Sequence, residues 1–177
     1  MKKFLVTIAL LLISPFFLIA QNLNGSFKID IDGGYVKPTE GYGVNPGVIL
    51  TLEPHIYLSD YFTAGLRLEG ALIGYRPQYE DEYFSYFGST TATGEYYFSK
   101  SKIKPFIGFG GGLYARHFIL EDYSGESLYA SDYGRIKLGF FGRAGVELNH
   151  IRLTAAYNVI GANFSYAAFT IGYTIGE

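Results

Sequence analysis

The chain has 177 residues, no cysteine and a formal net charge of −2, and 18% of its residues are aromatic but only 17% are charged. Soluble domains carry roughly 25% charged residues, so this composition is unusually apolar, and its 23 glycines are many for its length. The absence of cysteine excludes a disulfide framework, a thiolate metal site and the lipid attachment of a lipoprotein. The charge balance gives no indication of a nucleic-acid partner.

The N-terminal segment has the pattern of a secretory signal peptide. Two lysines follow the first residue, residues 4–19 are mostly apolar, and Ala20 is a small residue at the expected cleavage site. An uncleaved membrane anchor is the alternative. We therefore treat residues 1–20 as a cleaved signal peptide and residues 21–177 as one mature outer-membrane barrel domain. This mature part contains 12 basic and 16 acidic side chains.

The mature chain alternates apolar and polar residues, which is the period of a β-strand with two different faces. In the first segment, Phe27, Ile29 and Ile31 share one face, and Lys28 and Asp30 share the other. Each segment approaches the ~9–11 residues that a tilted strand needs to cross a bilayer. About eight segments of this kind are predicted, at residues 27–35, 48–58, 62–72, 91–98, 104–116, 138–148, 151–159 and 169–175.

The apolar faces of these segments contain no Asp, Glu, Lys, Arg or His. A soluble β-sandwich also alternates, but the export signal and the alternation of short and long connections favour a membrane protein. Aromatic residues recur near the strand ends of the apolar faces, as the interface girdles of a membrane barrel require. A sheet in lipid must close, because its edges would leave backbone groups unpaired. The sequence therefore predicts an all-β, closed, antiparallel, up-and-down transmembrane barrel.

The connections predict an orientation. The short ones are Ser59–Asp60, Ser99–Lys102 and Asn149–His150. The longer ones are residues 37–46, 75–86 and 118–136, with the short connection at 161–165 as an exception. Outer-membrane barrels have short periplasmic turns and longer outer loops. An even number of strands then places both mature termini in the periplasm.

The lumen of an eight-stranded barrel is just wide enough to be filled by side chains, and charges buried there must be paired. We expect a charge network formed by Glu53, Arg67, Glu69, Glu95, Lys104, Arg143, Glu147 and Arg152. The two-residue Asn149–His150 turn places Glu147 opposite Arg152. A turn that sets Leu58 opposite Phe62 makes Glu53 face Arg67, and Glu95 lies diagonal to Lys104.

The outer loops are acidic and rich in tyrosine. The candidate interaction residues are Tyr79, Glu80, Asp81, Glu82, Tyr83, Glu121, Asp122, Tyr123, Glu126, Tyr129 and Asp132. Their carboxylates suit Ca²⁺ or bridging divalent ions at a lipopolysaccharide layer, but a simple solvated loop is the favoured interpretation. The tyrosines suit contacts that are half apolar and half wet.

The run KPFIGFGGG at residues 104–112 resembles a recurring strand of small outer-membrane barrel proteins, and residues 52–68 and 145–157 resemble their hairpins. In size and layout the chain is similar to the family of the OmpA transmembrane domain and OmpX. The resemblance implies contact with outer-membrane lipid and lipopolysaccharide and insertion by the barrel-assembly machinery. The C-terminal Ile175-Gly176-Glu177 departs from the aromatic end that is common in such barrels.

No catalytic motif is recognisable, and we expect no enzyme activity, no cofactor and no metal site. Gly108–Gly112 is not interpreted as a phosphate-binding loop, because it lies inside an alternating strand with no helix after it. Two functions remain. The first is a structural or surface-interaction barrel with a polar, plugged lumen and an unknown surface ligand. The alternative is a narrow porin-like channel for small solutes.

Overall fold

The computed structural model describes residues 27–39, 44–75, 83–119, 136–161 and 165–176. All of its regular structure is β. The strands are β1 (Phe27–Pro38), β2 (Val44–Ser59), β3 (Phe62–Tyr75), β4 (Tyr83–Tyr97), β5 (Ile103–Ile119), β6 (Lys137–Leu148), β7 (Ile151–Val159) and β8 (Tyr166–Ile175). No helix among the described residues is long and apolar enough to cross a membrane.

The eight strands form a closed antiparallel barrel in which each strand pairs with its neighbours in sequence. Strand β1 closes the barrel by pairing with β8, from Ile29 opposite Ile175 to Pro38 opposite Tyr166. Closure leaves no strand edge unpaired, which a sheet surrounded by lipid requires. The predicted closed, antiparallel, up-and-down barrel is confirmed.

The barrel has two unlike ends. At the turn end, the strands are joined by the short connections that include Asp60, Lys100 and His150. At the loop end, β3, β4 and β5 extend further than their hydrophobic alternation predicts: Tyr75 pairs with Tyr83, and Phe84 pairs with Ile119. The loops predicted at 75–86 and 118–136 are therefore too long, because residues 83–86 belong to β4 and residues 118–119 belong to β5. The alternation fades there, but the backbone hydrogen-bond ladder continues.

The outer wall of the barrel is an apolar belt. Its large side chains are exposed, for example Leu138 at 74% and Phe140 at 70%. Among the Lys, Arg, Asp and Glu side chains whose burial the structure describes, the exposed ones are confined to the ends of the barrel. They are Lys37, Asp60, Lys100 and Lys102. A surface with this distribution is unfavourable in water and favourable in a bilayer.

Several aromatic rings of this belt lie over glycines of the wall. The Tyr86 hydroxyl lies 3.3 Å from the position that a Cβ of Gly70 would occupy, and the same ring covers Gly88 on the adjacent position of β4. Phe62 covers Gly94 in the same way, at 3.2 Å. These rings fill space that the glycines leave open on the lipid-facing surface, a packing device known from β-sheets.

Candidate functional site: the charged lumen and the apolar septum

The charged part of the lumen lies toward the turn end and is built from the inward-facing residues of the alternating strands. Arg143 of β6 donates hydrogen bonds from both terminal nitrogens to the two carboxylate oxygens of Glu53 on β2, each at 2.5 Å. The Thr93 hydroxyl donates a further bond to Glu53 Oε1 at 2.6 Å. Arg143 also lies 2.8 Å from Glu95 Oε1. A guanidinium thus bridges two buried carboxylates in the favourable bidentate geometry.

Arg152 of β7 forms a second bridge. Its side chain is fully buried and ion-paired with Glu95, and its Nη1 lies 3.1 Å from Asp30 Oδ2. The guanidinium carbon lies 3.9 Å from the centre of the Phe106 ring, so the cation also stacks on an aromatic face. Glu95 therefore lies between two arginines, and Asp30 is held by one of them.

Lys28 of β1 is the third buried cation of the network, after Arg143 and Arg152. Its ammonium lies 3.1 Å from Asp30 Oδ2 and 3.3 Å from Glu147 Oε2, and it donates to the Tyr97 hydroxyl at 2.5 Å. That hydroxyl donates in turn to Glu95 at 2.9 Å. Lys104, which is nearer the turn end, pairs with Glu147 Oε1 at 3.0 Å. The network joins side chains from six strands of the barrel, β1, β2, β4, β5, β6 and β7.

Arg67 and Glu69 form a separate pair on β3, further toward the loop end. The Tyr166 hydroxyl of β8 donates to Glu69. The Phe141 ring contacts both Arg67 and Arg143. Its centre lies 4.8 Å from the guanidinium carbon of Arg67 and 5.3 Å from that of Arg143. The cations are therefore held by carboxylates and aromatic faces together.

Each of the three ion pairs expected from turn geometry is wrong, although the registers are largely right. Glu147 lies opposite Arg152 in the ladder, yet Arg152 binds Glu95 and Asp30 instead. Glu53 and Arg67 also lie opposite each other, between the Leu52–Leu68 and His55–Gly65 pairs, yet Glu53 binds Arg143. The turn itself differs from the expectation, because Ser59 and not Leu58 pairs with Phe62.

The third expected pair, Glu95 with Lys104, is replaced by pairs of Glu95 with Arg143 and Arg152 and of Lys104 with Glu147. The physical reason is the same in all three cases. Long side chains in a narrow closed barrel reach the opposite wall, where the carboxylates are already desolvated and the Coulomb attraction is strongest. The register of adjacent strands does not show which charges meet across the lumen.

Sequence reasoning left Lys28, Asp30 and Tyr97 out of the network, although the two-residue period places all three inside the barrel. Asp32 is also buried, and its Oδ2 accepts a hydrogen bond from the Thr51 hydroxyl at 3.1 Å. The available signal was that β1 places Lys28, Asp30 and Asp32 on one face. A strand that turns three ionisable side chains to the lumen must contribute to the pairing there.

Asp30, His55 and Glu95 bring potential metal-ligand atoms within 4.8 Å of one another. His55 Nε2 lies 3.0 Å from Asp30 Oδ2 and 3.4 Å from Glu53 Oε1. The same carboxylates, however, bind Lys28, Arg143 and Arg152. A divalent cation would have to displace these buried cations, so the donor set does not fit a resident metal and suits internal ion pairing instead.

A second layer closes the lumen at the loop end, and sequence reasoning missed it. This apolar septum consists of Val36, Ile49, Ala71, Ile73, Phe87, Tyr114, Ile160, Tyr166 and Ala168. Val36 and Ile73 have no exposed surface. Its signal in the sequence is a loss of alternation, since Tyr35-Val36 and Val48-Ile49-Leu50 are apolar on both faces. A strand segment that is apolar on both faces is buried on both, here by lipid and by the septum.

The candidate residues of the outer loops lie outside the described residues, except Tyr83, which begins β4. At the opposite end, Asp60 and Lys100 form an exposed ion pair. The hydrogen bond to Asp60 raises the pKa of the Lys100 ammonium.

No protein-family model and no curated protein sequence matches the chain. Among solved structures, it is similar to Neisserial surface protein A, with 18% identity, a TM-score of 0.64 and coverage of 85% of this chain and 98% of that one. It is also similar to Ail of Yersinia pestis in complex with the heparin analogue sucrose octasulfate, with 14% identity, a TM-score of 0.54 and coverage of 85% and 99%.

These identities are too low to carry a shared activity, and they show the fold alone. Both proteins are small eight-stranded barrels of the outer membrane. The resemblance to this class of barrel, which the sequence predicted from residues 104–112 and from the hairpins, is confirmed at the level of the fold.

Proposed function

We propose that the chain is a non-enzymatic integral outer-membrane protein with a structural or surface-interaction role. The observation that carries the proposal is the apolar belt around a closed barrel, in which no charged side chain that the structure describes is exposed between the two ends. Water would make such a surface aggregate, and a bilayer stabilises it. The likeness to outer-membrane barrels supports the same membrane.

In this proposal residues 1–20 act as the export signal, and both mature termini lie on the periplasmic side. Strand β1 starts and β8 ends at the turn end, where the connections are short. Short periplasmic turns and longer outer connections are the usual arrangement in such barrels. The acidic, tyrosine-rich residues of the outer loops then face the lipopolysaccharide layer and the cell exterior.

The two-layer lumen favours a closed structural barrel over a narrow channel. A solute that entered from the turn end would first meet the buried ion pairs. Their charges compensate one another, so they do not attract free ions. Beyond them it would meet the septum, where Val36 and Ile73 are fully buried and Tyr166 is almost fully buried. An apolar constriction excludes water and ions even without a covalent block.

The ligand of the loops is proposed only by class. Ail was solved with a sulfated polyanion, but the outer loops of this chain carry Glu80, Asp81, Glu82, Glu121 and Asp122. Like charges repel, so we expect weak binding of polyanions and stronger contact with cationic surfaces or, through divalent ions, with lipopolysaccharide.

The test is fractionation of cells that express the full chain. We expect the protein in the outer membrane, resistant to urea extraction and with the heat-modifiable migration of a folded barrel. An epitope inserted within residues 120–135 should be accessible to protease on intact cells, and one at the C-terminus should not be. Recovery as soluble periplasmic protein would refute the proposal, and an accessible C-terminus would refute the orientation alone.

A further inference from the structure

The turn end of the barrel carries an exposed aromatic shelf on one side, formed by Tyr61, Tyr96 and Phe98. The rings of Tyr61 and Tyr96 stack with centroids 6.3 Å apart, and those of Tyr96 and Phe98 meet edge to face at 5.3 Å. Phe98 is 58% exposed. Aromatic rings in this position lie at the headgroup level of a bilayer.

Two lysines follow the shelf in the β4–β5 turn. The Lys100 ammonium lies 4.8 Å above the Tyr61 ring and is paired with Asp60. Lys102 is exposed and has no ion-pair partner among the residues that the structure describes. The turn that follows the shelf therefore carries one cation that is paired with a carboxylate and one that is available.

The turn that carries these lysines is well ordered by hydrogen bonds. The hydroxyls of Ser99 and Ser101 lie 2.8 Å apart, and the Ser101 hydroxyl donates to the Ile103 carbonyl oxygen at 2.7 Å. The Lys102 carbonyl oxygen accepts a hydrogen bond from the backbone N–H of Asn149 in the neighbouring turn, at 3.1 Å. Lys102 is thus presented from a fixed backbone, which lowers the entropic cost of binding.

Among the described residues, the opposite side of the same rim carries no exposed Lys, Arg, Asp or Glu side chain. There, the His150 ring stacks on Tyr173 at 5.5 Å, and the exposed Ile151 and Ile175 lie beside it. Within the described ranges, the exposed lysines of the turn end are Lys100 and Lys102, both in the β4–β5 turn that follows Phe98 of the shelf. The exposed lysines of this rim are therefore carried by the turn that joins the shelf to the neighbouring strand β5.

We propose that this place binds the headgroup of an anionic phospholipid in the leaflet that surrounds the turn end. The Lys102 ammonium donates hydrogen bonds to the phosphodiester oxygens, and Lys100 adds attraction that Asp60 reduces. The glycerol backbone and the upper acyl chain lie on the shelf formed by Tyr61, Tyr96 and Phe98. The inference rests on the proposed function, because it requires a barrel inserted in a bilayer.

The test uses the folded full-length mature barrel in nanodiscs and native mass spectrometry of the lipids that stay bound. The discs contain equal parts of phosphatidylglycerol and phosphatidylcholine with identical acyl chains. A lysine beside an anionic lipid surface contributes roughly a fivefold preference. We expect wild-type protein to retain phosphatidylglycerol by about that factor, Lys102→Gln to lose most of the preference, and Lys100→Gln to lose less.

Lys37→Gln is the matched control, because it removes one exposed lysine from the loop end. It should leave the preference unchanged. Equal retention of both lipids by the wild type, or an equal loss in the Lys37→Gln variant, would overturn the inference. Failure of the barrel to insert, read from its electrophoretic migration, would instead refute the proposed function, so the two failures are distinguishable.

Discussion

Arg143 and Glu53 are joined across the full width of the barrel by two hydrogen bonds of 2.5 Å. Their strands, β6 and β2, are as far apart as two strands of an eight-stranded ring can be. Both side chains are buried, so the charges are paired in an environment that screens them weakly. The pair therefore ties opposite walls of the barrel together.

The first prediction concerns this pair. Replacing Glu53 by Gln leaves the buried Arg143 guanidinium short of charge compensation, and removing one partner of a buried pair costs ~3–5 kcal/mol. A double-mutant cycle of Glu53→Gln with Arg143→Gln, followed by urea unfolding in detergent, should show strong coupling. Arg143 also binds Glu95, so the single Arg143 variant should be the more destabilised.

The control is the pair that adjacent-strand register alone suggests. A cycle of Glu53→Gln with Arg67→Gln should show much weaker coupling, because Arg67 binds Glu69 in the structure. Stronger coupling of Glu53 to Arg67 than to Arg143 would contradict the described network.

The sequence predicted the wall of this barrel far better than its contents. Each strand segment follows from a two-residue period, and the two-residue turn correctly set Glu147 opposite Arg152 in the ladder. The transverse pairs were unpredictable, because Glu53 and Arg143 are 90 positions apart and neither strand touches the other. The septum was also missed, since a doubly apolar segment such as Val48-Ile49-Leu50 was interpreted only by its outward face.

The second prediction tests the lipid-facing wall. Ala144 faces outward near the middle of β6, between Ile107 and Ala155. Arginine at the midplane of a membrane barrel costs ~2–4 kcal/mol, and the cost falls near the interfaces. Ala144→Arg should therefore reduce the folded fraction in liposomes, whereas Lys102→Arg, which places an arginine in the exposed turn, should not. Equal folding of both variants would place Ala144 outside the hydrocarbon.

The third prediction uses two glycines of adjacent strands that face opposite sides. A Cβ at the inward-facing Gly108 would lie 2.9 Å from Arg143 Nε and 3.2 Å from Glu95 Cγ, so the charged cluster would have to shift. A Cβ at the lipid-facing Gly142 meets nothing within 4 Å. Gly108→Ala should cost ~1–3 kcal/mol in unfolding experiments, and Gly142→Ala should be neutral or slightly stabilising. Similar effects of both changes would contradict the assigned faces.

The last prediction concerns the passage of ions and small solutes through the lumen, which the septum is expected to block. Purified protein in planar bilayers should give no steady conductance, because the lumen is closed by two layers of different chemistry. Removing charge with Glu53→Ala and Arg67→Ala should leave it closed, since Val36, Ile73 and Tyr166 still exclude water above. Combining that change with Ile73→Ser and Tyr166→Ala should produce a leak, because both barriers are then weakened. Folding of every variant is checked by its heat-modifiable migration before recording. Regular, long-lived conductance steps from the unmodified protein would instead favour the channel for small solutes.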